Sequence, residues 1–88
     1  MAVAVLNAGT VPKAASKEAI ALRGAGYVVV GDGNAMLRTG NAVQCVQGFE
    51  REAKTLAKTV GKGATVEPFP HKVPASATGA DCLVILGA

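Results

Sequence analysis

The residues able to do chemistry in this 88-residue chain are few and scattered: one histidine, two cysteines, nine Lys and Arg, and six Asp and Glu. His71 lies in the proline-rich stretch 68–80 and reads as an exposed loop residue. A Ser–His–Asp relay would need Ser16 or Ser76 with Asp32 or Asp81, and neither serine sits in the G-x-S-x-G elbow that exposes a nucleophile. Glu50 and Glu52 are two positions apart in a helical stretch, so their carboxylates diverge rather than share acid–base work. Asp32, Asp81 and His71 lack metal-ligand spacing. The residues therefore predict no catalytic set, no metal and no cofactor.

Three glycine-rich spots invite a phosphate-loop reading. Gly31-Asp32-Gly33 follows a strand-like run but opens no helix, and Gly61-Lys62-Gly63 lacks the upstream glycine and the Ser/Thr of a P-loop. Asn7-Ala8-Gly9-Thr10 does open a helix, whose free N–H groups could hold an anion with Lys13 close by. Plain capping by Thr10 is the simpler expectation there. Cys45 and Cys82 form no C-x-x-C, which leaves two readings: two buried thiols acting as small apolar residues, or a disulfide.

The elements that must position these residues follow from periodicity. Val3–Leu6 is apolar on both faces, as a central strand requires. After the Asn7–Thr10 turn a helix runs to about Ala25, with Pro12 in its first turn. Val11, Ala15, Ala19 and Leu22 line one side, and Lys13, Ser16, Lys17 and Arg23 the other. Ile20 falls on the polar side and Glu18 inside the apolar arc, against the pattern. Gly24 or Gly26 ends the helix. Tyr27–Gly31 is a second strand, and Asp32-Gly33-Asn34 a turn. Residues 35–41 look irregular, and Ala42–Val46 is a third strand whose Gln44 suggests a partly exposed or edge position.

Phe49–Val60 is the clearest helix: Phe49, Ala53, Leu56, Ala57 and Val60 share a face, and Glu50, Arg51, Lys54 and Lys58 form the outer one. Glu50 and Lys54 are spaced to pair, and Gly61 is suited to the helix end. Ala64–Glu67 is a short strand closed by Pro68, residues 68–80 form a long loop, mobile or functional, and Cys82–Leu86 is a wholly apolar last strand.

The order β-α-β-β-α-β-β makes one α/β (α+β) domain over 1–88. Two βαβ-like halves, 3–31 and 42–67, put both helices on one face of a mixed sheet, as a two-layer sandwich. The other face would be open and partly apolar, a surface for a ligand or for self-association. A chain this short buries only about 60–65% of its unfolded surface, so a crosslink would help it. The net charge of +3 is mild, and no Arg-rich run or interleaved aromatic platform supports nucleic acid as a partner. No apolar run approaches the ~20 residues that cross a bilayer, and Val3–Leu6 is too short for a signal-peptide core, so any anchor would lie outside these residues.

In sequence order these pieces resemble the LytR C-terminal domain family. The resemblance rests on Val3, Val5 and Asn7, then Ala15 and Leu22, Gly26-Tyr27-Val28, Gly33-Asn34-Ala35, Gly-Ala-Thr-Val at 63–66, and Asp81-Cys82-Leu83-Val84-Ile85-Leu86-Gly87. It covers nearly the whole chain. Glu18 departs from it, as do the length of the 68–80 loop and the cysteine pair, the last resembling mycobacterial stand-alone members. It implies a non-catalytic, extracytoplasmic domain tethered by a preceding transmembrane helix and supporting the cell envelope. Its partners would be cell-wall glycopolymer or peptidoglycan, LytR–CpsA–Psr-type or other envelope proteins, or a second copy through the open sheet face. Asn7, Thr10, Lys13, Lys17, Lys54 and Lys58 are the candidate contacts for an anion or polymer. The alternative is a small-ligand module, holding lipid on the apolar face or an anion at the Asn7–Thr10 turn. An extracytoplasmic location favours a Cys45–Cys82 disulfide, worth about 4 kcal/mol on the chain-entropy account.

Overall fold

The computed structural model describes all residues, 1–88. Its elements are β1 (Ala2–Ala8), α1 (Ala14–Gly24), β2 (Val28–Asn34), β3 (Ala42–Cys45), α2 (Glu50–Val60), β4 (Thr65–Pro68), a single 3-10 turn (Ala75–Ala77) and β5 (Cys82–Gly87). The five strands form one mixed sheet in the order β2-β1-β5-β3-β4. β1 runs parallel to β2 and β5, β3 parallel to β4, and β3 antiparallel to β5. The two βαβ halves of the sequence reading are thus side by side, and the last strand is inserted between them.

Alternation along the strands sorts the core into two layers. Val3, Val5, Val29, Val43, Cys82 and Val84 face the helices and pack against Ala15, Ala19, Leu22, Ala53 and Leu56. Ala4, Leu6, Ala42, Leu83 and Ile85 point the other way. The helix layer is as expected, with α1 over β1 and β2 and α2 over β3 and β4.

The other face is not open. Residues 69–81 leave β4 and cross beneath the sheet to β2, where the 3-10 turn docks. Ala77 is fully buried there, and Phe69, Val73 and Ala80 pack beside it. A Cβ on Gly31 would overlap the Ser76 carbonyl, and one on Gly33 would overlap the Ser76 side chain. Those two glycines, which resemble part of a phosphate loop in sequence, are the seat of the turn. The expected ligand or self-association face is therefore filled by the chain's own loop. Apolar strand residues with no helix to cover them gain by drawing in whatever apolar side chains the connection carries.

Four local expectations are corrected. Thr10 caps nothing: α1 starts at Ala14, with Lys13 in left-handed geometry (φ 62°) at its boundary and no side-chain cap. Asn7 organises the turn instead, accepting from Gly9 N–H (3.0 Å) and donating from Nδ2 to the Val11 carbonyl (2.9 Å). Asp32-Gly33-Asn34 is not a turn but the second half of β2, because β1 offers backbone partners as far as Asn7. β3 is partly exposed at Gln44, as expected, but it is an interior strand and not an edge, the edges being β2 and β4. Glu50 does not bridge to Lys54 but accepts from the Gly48 N–H (2.6 Å) just before its own helix. At the other end of α1 the expectation holds: Gly26 (φ 97°) closes a Schellman arrangement, with Tyr27 N–H on Leu22 O and Gly26 N–H on Arg23 O.

Candidate functional site

β1 and β5 end together at Ala8 and Gly87, in register. From that end α1 departs toward β2, while α2, from the other half, arrives with its C-terminal turn. The crevice outside the carboxyl ends of parallel strands, where connections diverge to opposite sides, is where open α/β sheets bind ligands. Here it is a notch of about 320 Å³ lined by Asn7, Gly9, Lys17, Glu18, Asn41 and Lys62, with Val60 and Gly87 among its walls. Close backbone approach makes the floor: a Cβ on Gly9 would meet the Gly87 carbonyl, and one on Gly87 would overlap the Gly40 carbonyl. Asn41 Oδ1 accepts from Gly87 N–H (3.0 Å), which ties the floor to the start of β3.

Lys17 reaches the notch from the first turn of α1 and Lys62 from the turn after α2. Lys62 takes left-handed geometry (φ 55°) between Gly61 and Gly63, which also have positive φ. Glu18, the residue that broke the helix pattern, is the half-buried acid of the same notch. Two ammonium groups against one carboxylate leave the notch with a net positive charge.

Of the residues singled out in the sequence, the structure brings Asn7 and Lys17 together here. Thr10 and Lys13 are exposed before α1, outside the lining. Lys54 and Lys58 lie on the exposed outer face of α2. Lys62 and Asn41 were missed. The signal for Lys62 was present in Gly61-Lys62-Gly63, a sharp turn after a helix; which helix end it would meet depends on strand order. The acids and His71 do not converge: the Asp81 carboxylate accepts from Ala2 N–H (2.8 Å), Asp32 is exposed on β2, and His71 is exposed in the crossing loop.

A second polar cluster lies on the loop face. Arg38 donates twice to Glu67 (3.0 and 2.8 Å), and Gln44 Nε2 (3.0 Å) and Thr65 Oγ1 (2.8 Å) donate to the same carboxylate. The Arg38 hydrogen bond, then those of Gln44 and Thr65, lower Glu67 to about 2, and Glu67 in turn raises Arg38. This cluster pins segment 35–41 across the end of the sheet. The backbone joins in: Arg38 N–H reaches Ala8 O, and Ala88 N–H reaches Arg38 O.

Cys45 and Cys82 form a disulfide across the β3–β5 pair, with Cα atoms 4.0 Å apart. Cys45 also stands opposite Pro68, so the loop leaves and re-enters the sheet on either side of one half-cystine.

The family described as LytR cell envelope-related transcriptional attenuator, LytR_C, matches residues 1–88, the whole chain. The chain belongs to the LytR_C family. No curated protein and no solved structure matches it. Membership makes this LytR_C domain a cell-envelope-related one, from a family of accessory rather than catalytic domains. None of its helices is long and apolar enough to cross a membrane.

Proposed function

We propose that this LytR_C domain is a non-catalytic, extracytoplasmic accessory module that binds an anionic cell-wall polymer at the notch between α1 and α2. The observation that carries this reading is the convergence of Lys17 and Lys62, from separate elements, on a walled recess at the strand carboxyl ends. Phosphate or carboxylate groups of a wall glycopolymer or peptidoglycan suit such a recess, since ammonium–anion hydrogen bonds are about twice as strong as neutral ones. Lys13 and Lys58, at the adjoining helix ends, and Lys54 beyond them extend the positive surface for further units of a chain. The disulfide supports an oxidising location outside the cytoplasm, where a preceding transmembrane helix would hold the domain near the wall.

The test is equilibrium binding of the domain to purified anionic wall glycopolymer and to peptidoglycan. Lys17→Gln with Lys62→Gln should weaken binding about tenfold, and salt should weaken the unaltered protein. Equal binding by that variant would sink the notch, and loss with Lys54→Gln and Lys58→Gln alone would move the contact to the outer face of α2.

A second reading, a small anionic ligand in the same notch, is favoured by its enclosed floor. Saturable binding of a single repeat unit, as tight as that of the polymer, would select it. The lipid version needed an exposed apolar sheet face, and residues 69–81 occupy that face.

A further inference from the structure

The edge strand β2 carries features that neither the sheet nor the notch uses. Ile20 is 68% exposed and Val28 63%, and Val30 is exposed as well. Arg23 Nη2 donates to the Val29 carbonyl (3.2 Å), which holds a guanidinium at the strand's edge with most of its donors free. Ile20 lies one turn before Arg23 on the same flank of α1. Asp32 is exposed and forms no ion pair.

Register decides which of these share a face. Val29 pairs with Val3 and Asp32 with Val5, both strand residues of the helix-side core, whereas Gly31 and Gly33 pair with Ala4 and Leu6 of the loop side. The shift between Val3 and Ala4 leaves Val30 as the extra, bulged residue. Asp32 therefore stands on the helix side, as Arg23 does.

We infer that two copies of this chain associate edge to edge through antiparallel β2 strands. Two central registers keep like faces together. One sets Asp32 against the partner's Asp32, which is repulsive. The other sets Asp32 against the partner's Val29, where the partner's Arg23 already sits, and the two-fold axis repeats the pair. In that register Gly33 faces the partner's Val28, and the axis passes between Val30 and Gly31. Adjacent strands are about 4.8 Å apart, within the reach of an arginine. α1 runs back along β2, so Ile20, about 4.5 Å along the helix from Arg23, comes to the axis and meets the partner's Ile20. A bulge and an arginine on an edge deter indiscriminate strand addition. Here they admit a partner that brings a carboxylate to Val29, and a second copy of the chain does so. The pairing is isologous and closes at two.

The test is sedimentation equilibrium of the 88-residue chain from micromolar to millimolar, without polymer, so that its outcome is separate from that of the notch. The unaltered chain should dimerise reversibly. Arg23→Glu and Asp32→Lys should each weaken dimerisation about tenfold or more, through two like-charge contacts apiece. An equimolar mixture of the two variants should recover it, because both contacts in the heterodimer become opposite in sign. A monomeric unaltered chain at millimolar concentration, or variants whose mixture associates no better than each alone, would overturn the inference.

Discussion

On the helix side of the sheet Leu22 and Leu56 descend from regular helices onto a row of valines. On the other side Ala77, Phe69 and Val73 are brought by a loop with three prolines in residues 68–80 and one 3-10 turn. Both layers are apolar, yet they are held differently. The helix side relies on repeated apolar spacing. The loop side relies on a few point attachments, two glycines under Ser76 and one carboxylate with three donor residues, while the disulfide, which faces the helices, brackets both ends of the loop. A periodic surface tolerates a local fault, whereas a surface hung on single points concentrates its stability in them.

Removing the disulfide, by reduction or by Cys45→Ala with Cys82→Ala, should cause the largest change. Denaturant unfolding should show a loss of about 4 kcal/mol. Amide exchange should rise in 69–81 before it rises in α1. A uniform rise across both would mean that the crosslink serves the whole sheet rather than the ends of the loop.

Paired substitutions make the contrast direct. Leu56→Ala should cost about 3 kcal/mol through a cavity under α2, with exchange raised across that layer. Gly31→Ala should cost about 2 kcal/mol by overpacking against Ser76. Its effect should centre on 75–80, with greater binding of an apolar dye to the uncovered strands. If Gly31→Ala instead loosens α1 and α2 as much as the loop, the two sides are one cooperative unit.

The smallest effect concerns Glu67, which is partly exposed. Its carboxyl is lowered from 4.5 to about 2 in the folded chain, so the unfolded state takes up protons first as pH falls. The stabilisation is complete above about pH 4.5 and is lost on descending toward pH 2, roughly 1 kcal/mol after solvent screening. Glu67→Gln should flatten that part of the pH–stability curve, and an unchanged acid limb would show that the cluster holds 35–41 in place without stabilising the fold.

Much of the fold was legible in the residues. Spacing located both helices, as in the Phe49, Ala53, Leu56 and Val60 face, and the order of elements made two βαβ halves. Other features were not legible, because they depend on residues distant in sequence. Asp32-Gly33-Asn34 has turn composition but lies beside a strand that extends to its level. Thr10 has the chemistry of a cap, yet Asn7 had already closed the turn. Lys62 belongs to the notch only because β5 enters between the halves and sets the end of α2 across from the start of α1.

By itself the sequence determined the class of fold, the family and the apolar faces of both helices, apart from Val11, which is exposed ahead of α1. Each of these follows from local spacing and residue type. Tertiary structure alone decided that the second sheet face is closed, which strands are edges and which lysines share a recess. Those depend on strand order and on where an irregular loop finds apolar cover. Neither has a period that can be read along the chain.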